Sequence, residues 1–335
     1  MKLVFVNRFF YPDSSATSQM LTDVAFYLAS KEHNVHIVTS RLNYEGGDQL
    51  PCNETVNGVS IHRVWTTKFG RANLVGRAFD YVTFYLSAFF VLLLLLKRGD
   101  HVIAKTDPPL VSVPVGWAAR IRGARQYNWL QDLFPEVAQE LGMKIPGFLT
   151  GLLRWFRDAS ILKAENNIAI GELMRNKILK LGVGADRIVV IPNWADGEAI
   201  QPNRGLNPLR DTWHLRDKFV VGYSGNLGRA HEIETLLGVI RELKDEDNIC
   251  FLFIGSGVLL DSLKKIANEE GLSNLIFKPY QPRELLPQSL TVPDVHITIL
   301  RPELEGLIVP SKIYGVLAAG RPSIYIGDTQ GEIGE

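Results

Sequence analysis

The chain has 335 residues, 46% apolar and 21% charged, a composition that fits a globular protein and excludes a disordered one. At that length a single core gives way to two domains. Lys plus Arg and Asp plus Glu number 36 each, so no global field draws the molecule to nucleic acid and any electrostatic steering is local.

In chain order, Met1–Val6 reads as a buried strand, "FYPDSSATS" as a polar turn, "QMLTDVAFYLASK" as a helix and "NVHIVTS" as a second strand. That is a βαβ unit, the opening of a doubly wound parallel sheet. The short run "MKLVFVN", followed at once by "RFFYPDSS", does not read as a signal peptide. Further strands are expected at "VSIHRVW", "HVIAKT", "QYNWLQ", "NNIAIG" and "RIVVIP". The pattern then restarts with "KFVVGYSG", "NICFLFIGSG", "LIFKPY", "VHITIL" and "RPSIYIGD". Between the two series lies "IPNWADGEAIQPNRGLNPLRDTW", polar and turn-rich, the expected linker. The fold class is therefore α/β, with two Rossmann-like doubly wound domains over 1–198 and 199–335. A closing helix is expected after "SIYIGD"; "TQGEIGE" stands there instead, so the second domain reads as incomplete at its end. Cys52 and Cys250 suggest neither a disulfide framework nor a metal site, which fits a reducing cytoplasm.

Tyr81–Leu96 is apolar except for Thr83 and Ser87. It falls short of the roughly 20 residues of a transmembrane helix, and being apolar all round it is no ordinary surface helix. It reads either as a buried crossover helix or as a segment that dips into a membrane surface. Lys68, Arg71 and Arg77 precede it, Lys97 and Arg98 follow it, and Trp155 stands near Arg157. Cations and aromatics beside apolar area suit anionic lipid headgroups.

Gly222, Gly225 and Gly228, in "VVGYSGNLGRAHEIETLL", join a strand to a stretch with helical spacing. Their spacing departs from the dinucleotide fingerprint G-x-G-x-x-G, and Gly228-Arg229-Ala230 departs from the G-K-[ST] of a Walker loop. Two readings remain. One is an ordinary βα turn. The other is a turn whose free N–H groups, at a helix head, bind a phosphate or diphosphate without a metal, with Arg229 and His231 adding positive charge. Further on, in "RPELEGLIVPSKIYGVLAAGRPSIYIGD", Glu303 and Glu305 sit in a loop and Ser311 and Lys312 open a helix. Lys312 at a helix start opposes the macrodipole. Either it is solvated at the surface, or an anion bound there resolves the conflict.

Six segments in this order carry a resemblance. "FFYPDSSATSQMLTDVAFYLASKEHNVHIVTS", "LQDLFPEVAQELG", "IPNWAD", "GYSGNLGRAHE", "FIGSG" and "EGLIVPSKIYGVLAAGRP" together resemble the GT-B glycosyltransferases of retaining family 4. The likeness is to the bacterial branch that builds lipid-linked and exported polysaccharides, and it covers nearly the whole chain. It implies an N-terminal acceptor-binding domain and a C-terminal nucleotide-sugar-binding domain. It implies a hexosyl or N-acetylhexosaminyl transferase that uses a UDP-sugar and a polyprenyl-diphosphate-linked or polysaccharide acceptor. Retention, by same-face attack without a covalent intermediate, is implied as well, with no cofactor, metal or nucleic-acid partner. The implied location is cytoplasmic, in peripheral contact with the inner face of the plasma membrane.

Carried over to this sequence, the resemblance places Gly225, Asn226, Leu227, Arg229, His231, Gly255, Ser256, Tyr280, Gln281, Glu305, Gly306, Ser311 and Lys312 at the donor. It places Ser14, Ser15, Ala16, Lys105, Asp132 and Glu136 at the acceptor. Asp132 and Glu305 are the expected catalytic residues. Asp132 accepts the acceptor's proton, orients its hydroxyl, or only caps the following segment; Glu305 binds sugar hydroxyls. The chain departs from the family in four places, one of them the C-terminal return helix, which this sequence does not show. Gly315 stands where a second glutamate commonly holds the ribose. Asn226, Arg229 and His231 replace the usual Arg and Lys pair, and Ser14-Ser15-Ala16 replaces a glycine loop. Diphosphate binding then leans on backbone N–H groups, Arg229 and Lys312, preorganised donors at a leaving group. Asp245-Glu246-Asp247 has the D-x-D form of a metal motif but reads as a solvated turn. Two alternatives stay open, a UDP-sugar epimerase of the same fold and a non-catalytic nucleotide-sugar-binding subunit; an epimerase has no need of the apolar, basic stretch.

Overall fold

The computed structural model of the chain describes residues 1–13, 15–43, 49–70, 74–203, 205 and 207–335. The chain divides into two compact units, Met1–Pro192 and Asn193–Glu335. The division falls inside the turn-rich linker, ahead of residue 198.

The first unit holds β1 (Leu3–Val6), β2 (Val35–Ser40), β3 (Asn53–Val56), β4 (Val59–Val64), β5 (His101–Lys105), β6 (Arg125–Trp129), β7 (Asn166–Ala169) and β8 (Ile188–Val190). They form one sheet in the order β3-β4-β2-β1-β5-β6-β7-β8. All neighbours run parallel except β3 and β4, which form a hairpin. Asn57 and Gly58 turn that hairpin with φ of 47° and 78°, the pair of positive values that a two-residue turn requires. Six helices accompany the sheet: α1 (Ala16–Ser30), α2 (Leu74–Leu95), α3 (Ser112–Arg122), α4 (Glu136–Glu140), α5 (Gly147–Lys163) and α6 (Glu172–Leu179). The core forms where Phe84, Ala88 and Leu92 of α2 and Val115, Ala118 and Ala119 of α3 meet Val4, Val6, Val38 and Val102 of the strands.

The expectation of a buried crossover helix over Tyr81–Leu96 needs correction. α2 does cross from β4 to β5, but it buries one face only, and Phe79, Val82, Leu86, Phe90 and Leu94 lie exposed along the other. Val75–Leu95 is long and apolar enough to cross a membrane, with mean hydropathy 1.9. Its inward face nevertheless carries a buried carboxylate. Asp80 accepts hydrogen bonds from Thr67 Oγ1 at 2.7 Å, Phe69 N at 3.0 Å and Gly70 N at 3.1 Å, and pairs with Arg8 at 3.4 Å.

The second unit contains β9 (Phe219–Asn226), β10 (Ile249–Ser256), β11 (Leu275–Lys278), β12 (Val295–Ile299) and β13 (Ser323–Ile326). Their order is β11-β10-β9-β12-β13, all parallel. A sheet covered on both faces needs apolar side chains on both, and every residue of β12 is buried. Its helices are α7 (Pro208–Thr212), α8 (Glu234–Glu242), α9 (Val258–Glu270), α10 (Leu286–Leu290) and α11 (Lys312–Ala318). Leu236, Leu237 and Ile240 of α8 and Leu260 and Leu263 of α9 close one side of the sheet over Tyr223, Phe251 and Phe253.

Each sheet has one point where the strand order reverses, between β1 and β5 in the first unit and between β9 and β12 in the second. In open parallel sheets ligands bind in the crevice beyond the carboxyl ends of the strands at such a point.

Candidate functional site

In the first unit, the loops after β1, β5 and β6 converge at the reversal point. Lys105, the last residue of β5, is buried; its Nζ donates to Thr17 O at 2.9 Å and lies 4.0 Å from the centre of the Trp129 ring. Burial lowers its amine to about 7, against the opposing pull of Asp107 and Asp23. Asp132 follows β6. Its Oδ1 is buried with no hydrogen-bond partner. Burial, followed by the charge of Asp107, raises its carboxyl to about 7. The capping reading of Asp132 does not hold, because α4 begins at Glu136 behind Pro135 and no side chain caps it. Gln131 Nε2 and Ser15 Oγ are likewise buried without a partner among the described residues. Gln131 was not foreseen; it sits one residue before Asp132, and its main-chain N donates to Thr106 Oγ1 at 3.2 Å. Ser15 heads α1 with its N–H on Asp13 Oδ1 at 2.8 Å, and Ala16 is exposed. Ser14 lies outside the described residues, as does Arg71.

Glu136 has structural partners. Arg157 Nη2 and Nη1 donate to its Oε1 and Oε2 at 2.9 and 3.0 Å, and Arg154 Nε lies 3.0 Å from Oε1. Arg157 also reaches Asp158 and Phe134 O. The reading of Arg157 as a surface cation next to Trp155 is therefore corrected: Trp155 is 62% exposed and Arg157 only 8%. A guanidinium fork matches a carboxylate at two points, so this pair fixes α4 and α5 to one another and shapes the segment that carries Asp132.

In the second unit, Gly222 and Gly225 serve different ends. A Cβ on Gly222 would sit 2.1 Å from Pro293 Cγ, so this glycine is required by packing. Gly225 holds a φ of 127° at the end of β9, with Lys312 Cε and Nζ 3.7 Å from where its Cβ would be. One strand over, a Cβ on Gly255 would lie 2.3 Å from Gly225 O, so the two strand ends meet backbone to backbone. Leu227 N donates to Ser256 O at 2.8 Å, and the Leu227 side chain is fully buried, which leaves only its main chain to meet a ligand.

The expected free amides at a helix head are corrected. α8 starts only at Glu234, and the Glu232 carboxylate already accepts from Glu234 N at 2.7 Å and Thr235 N at 3.1 Å. An acidic side chain fills the place an anion would take.

Positive charge arrives instead from α11. The expectation of a solvated Lys312 does not hold: its Nζ donates to Tyr223 Oη and lies 3.8 Å from the centre of that ring. His231 Nε2 is 3.3 Å away. Burial lowers the Lys312 amine to about 7, and burial, with the charge of Lys312 second, lowers His231 to about 4. Arg229 is exposed on the same loop, as are Asn226 and Ser256 at the two strand ends. Gly306, with a φ of 70°, is buried behind Glu305. The Glu305 carboxylate is engaged: Tyr325 Oη donates to Oε1, and Glu332 N donates to Oε2 at 3.2 Å. Ser311 adjoins Lys312, half-buried. Tyr280 and Gln281 follow β11 at the sheet edge, and Gln281 Nε2 donates to Pro279 O at 2.8 Å. Asp245, Glu246 and Asp247 are exposed between α8 and β10. Among the described residues no three His, Cys, Asp or Glu side chains are grouped to hold a metal.

Comparison with known proteins follows this geometry. Residues 16–194 match the family model described as glycosyl transferase 4-like domain. The chain is 25% identical over 350 residues to WcaI of Escherichia coli (strain K12), named as a glycosyl transferase of colanic acid biosynthesis, across 100% of this chain and 85% of that protein. It is 31% identical over 243 residues to WbjE of Pseudomonas aeruginosa, named as a glycosyltransferase, across 71% of this chain and 60% of that one. Among solved structures, HepE of Anabaena in complex with UDP and glucose matches with a TM-score of 0.68 at 14% identity, over 98% of this chain and 81% of that one. WaaG, a glycosyltransferase involved in lipopolysaccharide biosynthesis, matches with a TM-score of 0.66 at 11% identity, over 96% and 80%. At these identities the likeness is one of fold.

Proposed function

The chain belongs to the glycosyl transferase 4-like family and is a glycosyltransferase of the GT-B fold; from that premise we propose that it moves a sugar from a UDP-sugar to a lipid-linked or polysaccharide acceptor in bacterial polysaccharide synthesis. The observation that carries this reading is the Lys312 ammonium beneath the Gly225 turn, at the reversal point of the second sheet, in contact with an aromatic ring and with no acidic partner among the described residues. A diphosphate supplies the charge this cation lacks.

In this reading the second unit binds the donor. Lys312 and Arg229 stabilise the departing diphosphate electrostatically, without a metal, which is usually the largest single contribution to such a transfer. Gly255 and Ser256 border the nucleotide, Tyr280 and Gln281 meet its base, and Glu305, once released from Tyr325 and Glu332, meets sugar hydroxyls. The first unit binds the acceptor. Asp132 takes the hydroxyl proton, with Gln131, Ser15 and Lys105 around it, and the sugar is transferred with retention.

The acceptor's lipid carrier sets the location. α3 lies between α2 and α5. The exposed row of α2 continues through Trp117 and Ile121 of α3 and Phe148, Leu152 and Trp155 of α5. Lys97, Arg98, Arg120, Arg122 and Lys144 are exposed on or beside these helices. This apolar face with a cationic rim suits the cytoplasmic surface of the plasma membrane, where anionic lipids attract basic groups.

The test is a donor and acceptor matrix: UDP-, GDP- and dTDP-sugars, each with and without a polyprenyl-diphosphate-linked sugar. The expected result is thermal stabilisation by a UDP-sugar and release of UDP only when the lipid acceptor is present. Isomerisation of the donor alone would point to an epimerase, and binding without turnover would point to a non-catalytic subunit.

A further inference from the structure

Tyr223 lies on β9 just before the glycine turn. Its phenol oxygen is the hub of a half-buried cluster. It accepts from Lys312 Nζ, donates to Asn226 O at 2.9 Å and lies 3.0 Å from His231 Nε2. His231 is held in turn by Gly228, whose O lies 2.8 Å and whose N lies 3.1 Å from Nδ1. The ring face of Tyr223 lies under the same amine, and cations are attracted to such a face. A strand, a loop and a helix thus deliver one aromatic ring, one imidazole and one amine to the underside of Gly225.

The groups that face Lys312 Nζ are Tyr223 from β9 and His231 from the loop after it, and Tyr280, after β11, faces Tyr223. None is an acid with a charge to offer at neutral pH. A buried ammonium without a counter-charge is costly, so the amine tends to shed its proton until an anion arrives. We infer that Tyr223 is a positioning residue for the donor: with His231 it seats Lys312 under the turn, and the arriving diphosphate draws a proton from solvent onto that amine. No bond between heavy atoms changes; one proton moves from buffer to Nζ as the anion binds and returns when it leaves. The inference rests on the donor site given under Proposed function and adds to it a partner residue and a proton. The lowering of the Lys312 amine to about 7 by burial alone places the uptake in the accessible range just above neutrality.

Calorimetric titration of the full chain with UDP, whose phosphates are fully ionised at pH 8, reads this directly. In two buffers of different ionisation enthalpy the wild type should take up close to one proton per UDP. Its affinity should fall by up to about tenfold per pH unit above neutrality, the slope of one linked proton. Lys312→Met should bind more weakly with no uptake. Tyr223→Phe keeps the ring and removes the hydroxyl, so it should move the midpoint of the affinity profile to lower pH and weaken UDP several-fold at pH 8, with far less effect at pH 6.5. A merely structural role would weaken binding equally at both, and His231→Asn provides a second variant should the first fold poorly. Binding of UDP to the wild type with buffer-independent heat, or an unmoved profile in Tyr223→Phe, overturns the inference and leaves the donor site standing. No binding of UDP at any pH overturns the donor site and the inference together.

Discussion

Asp132 changes its charge within the range in which transferases work. A carboxyl raised to about 7 is largely protonated below neutrality and accepts a proton only once ionised, so turnover should climb through about pH 7. Asp132→Asn should lower turnover by roughly 10²–10⁴-fold at unchanged donor affinity, as measured by UDP release in the presence of acceptor. The same raised value has a stability consequence. Its cost is absent at acid pH, appears as pH rises past the ordinary carboxylate range and is complete above about 7. Asp132→Asn should therefore be more stable than the wild type at pH 8, by on the order of 1–4 kcal/mol, and equal to it near pH 3, as read from urea unfolding. At this scale the glycine spacing pointed to Gly225, a lysine at a helix start to Lys312, and the family resemblance to Asp132. It did not point to Tyr223, which lies inside an apolar strand run, where an inward tyrosine and an inward phenylalanine look alike. Nor did it distinguish a lysine over a ring from a lysine in water, since the ring comes from another element.

Arg157 shows what lies between residue and fold. It is far from Glu136 in sequence, and only the packing of α5 beside α4 brings the two together. Removing the guanidinium leaves Glu136 partly buried beside the more exposed Arg154, so Arg157→Ala should lower stability by about 3 kcal/mol, with Arg157→Lys recovering only part because an ammonium cannot make the two-point contact. Chemical unfolding with matched m-values would measure both. α2 repeats the lesson. Its composition announced an apolar helix, but which half would be covered depends on β1, β2, β5 and α3, and composition carries no such information. Leu86 and Phe90 are 55% and 62% exposed, so the double change Leu86→Asp with Phe90→Asp should keep the fold. In flotation with anionic vesicles it should abolish membrane association; persistence would show that this face does not meet lipid. Most strands were legible because doubly buried parallel strands are short unbroken apolar runs. β3 was missed, although Asn57-Gly58 is a strong hairpin signal, because "NETV" has no apolar run.

The molecule as a whole is two units, each with its own core. If the donor binds only within Asn193–Glu335, scanning calorimetry should resolve a transition that UDP moves and one that it leaves in place. At a hundred times its dissociation constant UDP should add about 2.7 kcal/mol to the responsive one. The division into two sheets was legible from the restart of the strand pattern, and its location to within the linker. The long hydrophobic helix of the first unit raises a different question at this scale, whether it could ever pierce a bilayer rather than lie against it. Asp80 answers it. Threading α2 through lipid would pull that carboxylate away from Thr67, Phe69, Gly70 and Arg8 and strand it in hydrocarbon. The helix is moored near its N-terminal end, so in the proposed reading any lipid meets it along its exposed face, as water meets a moored hull.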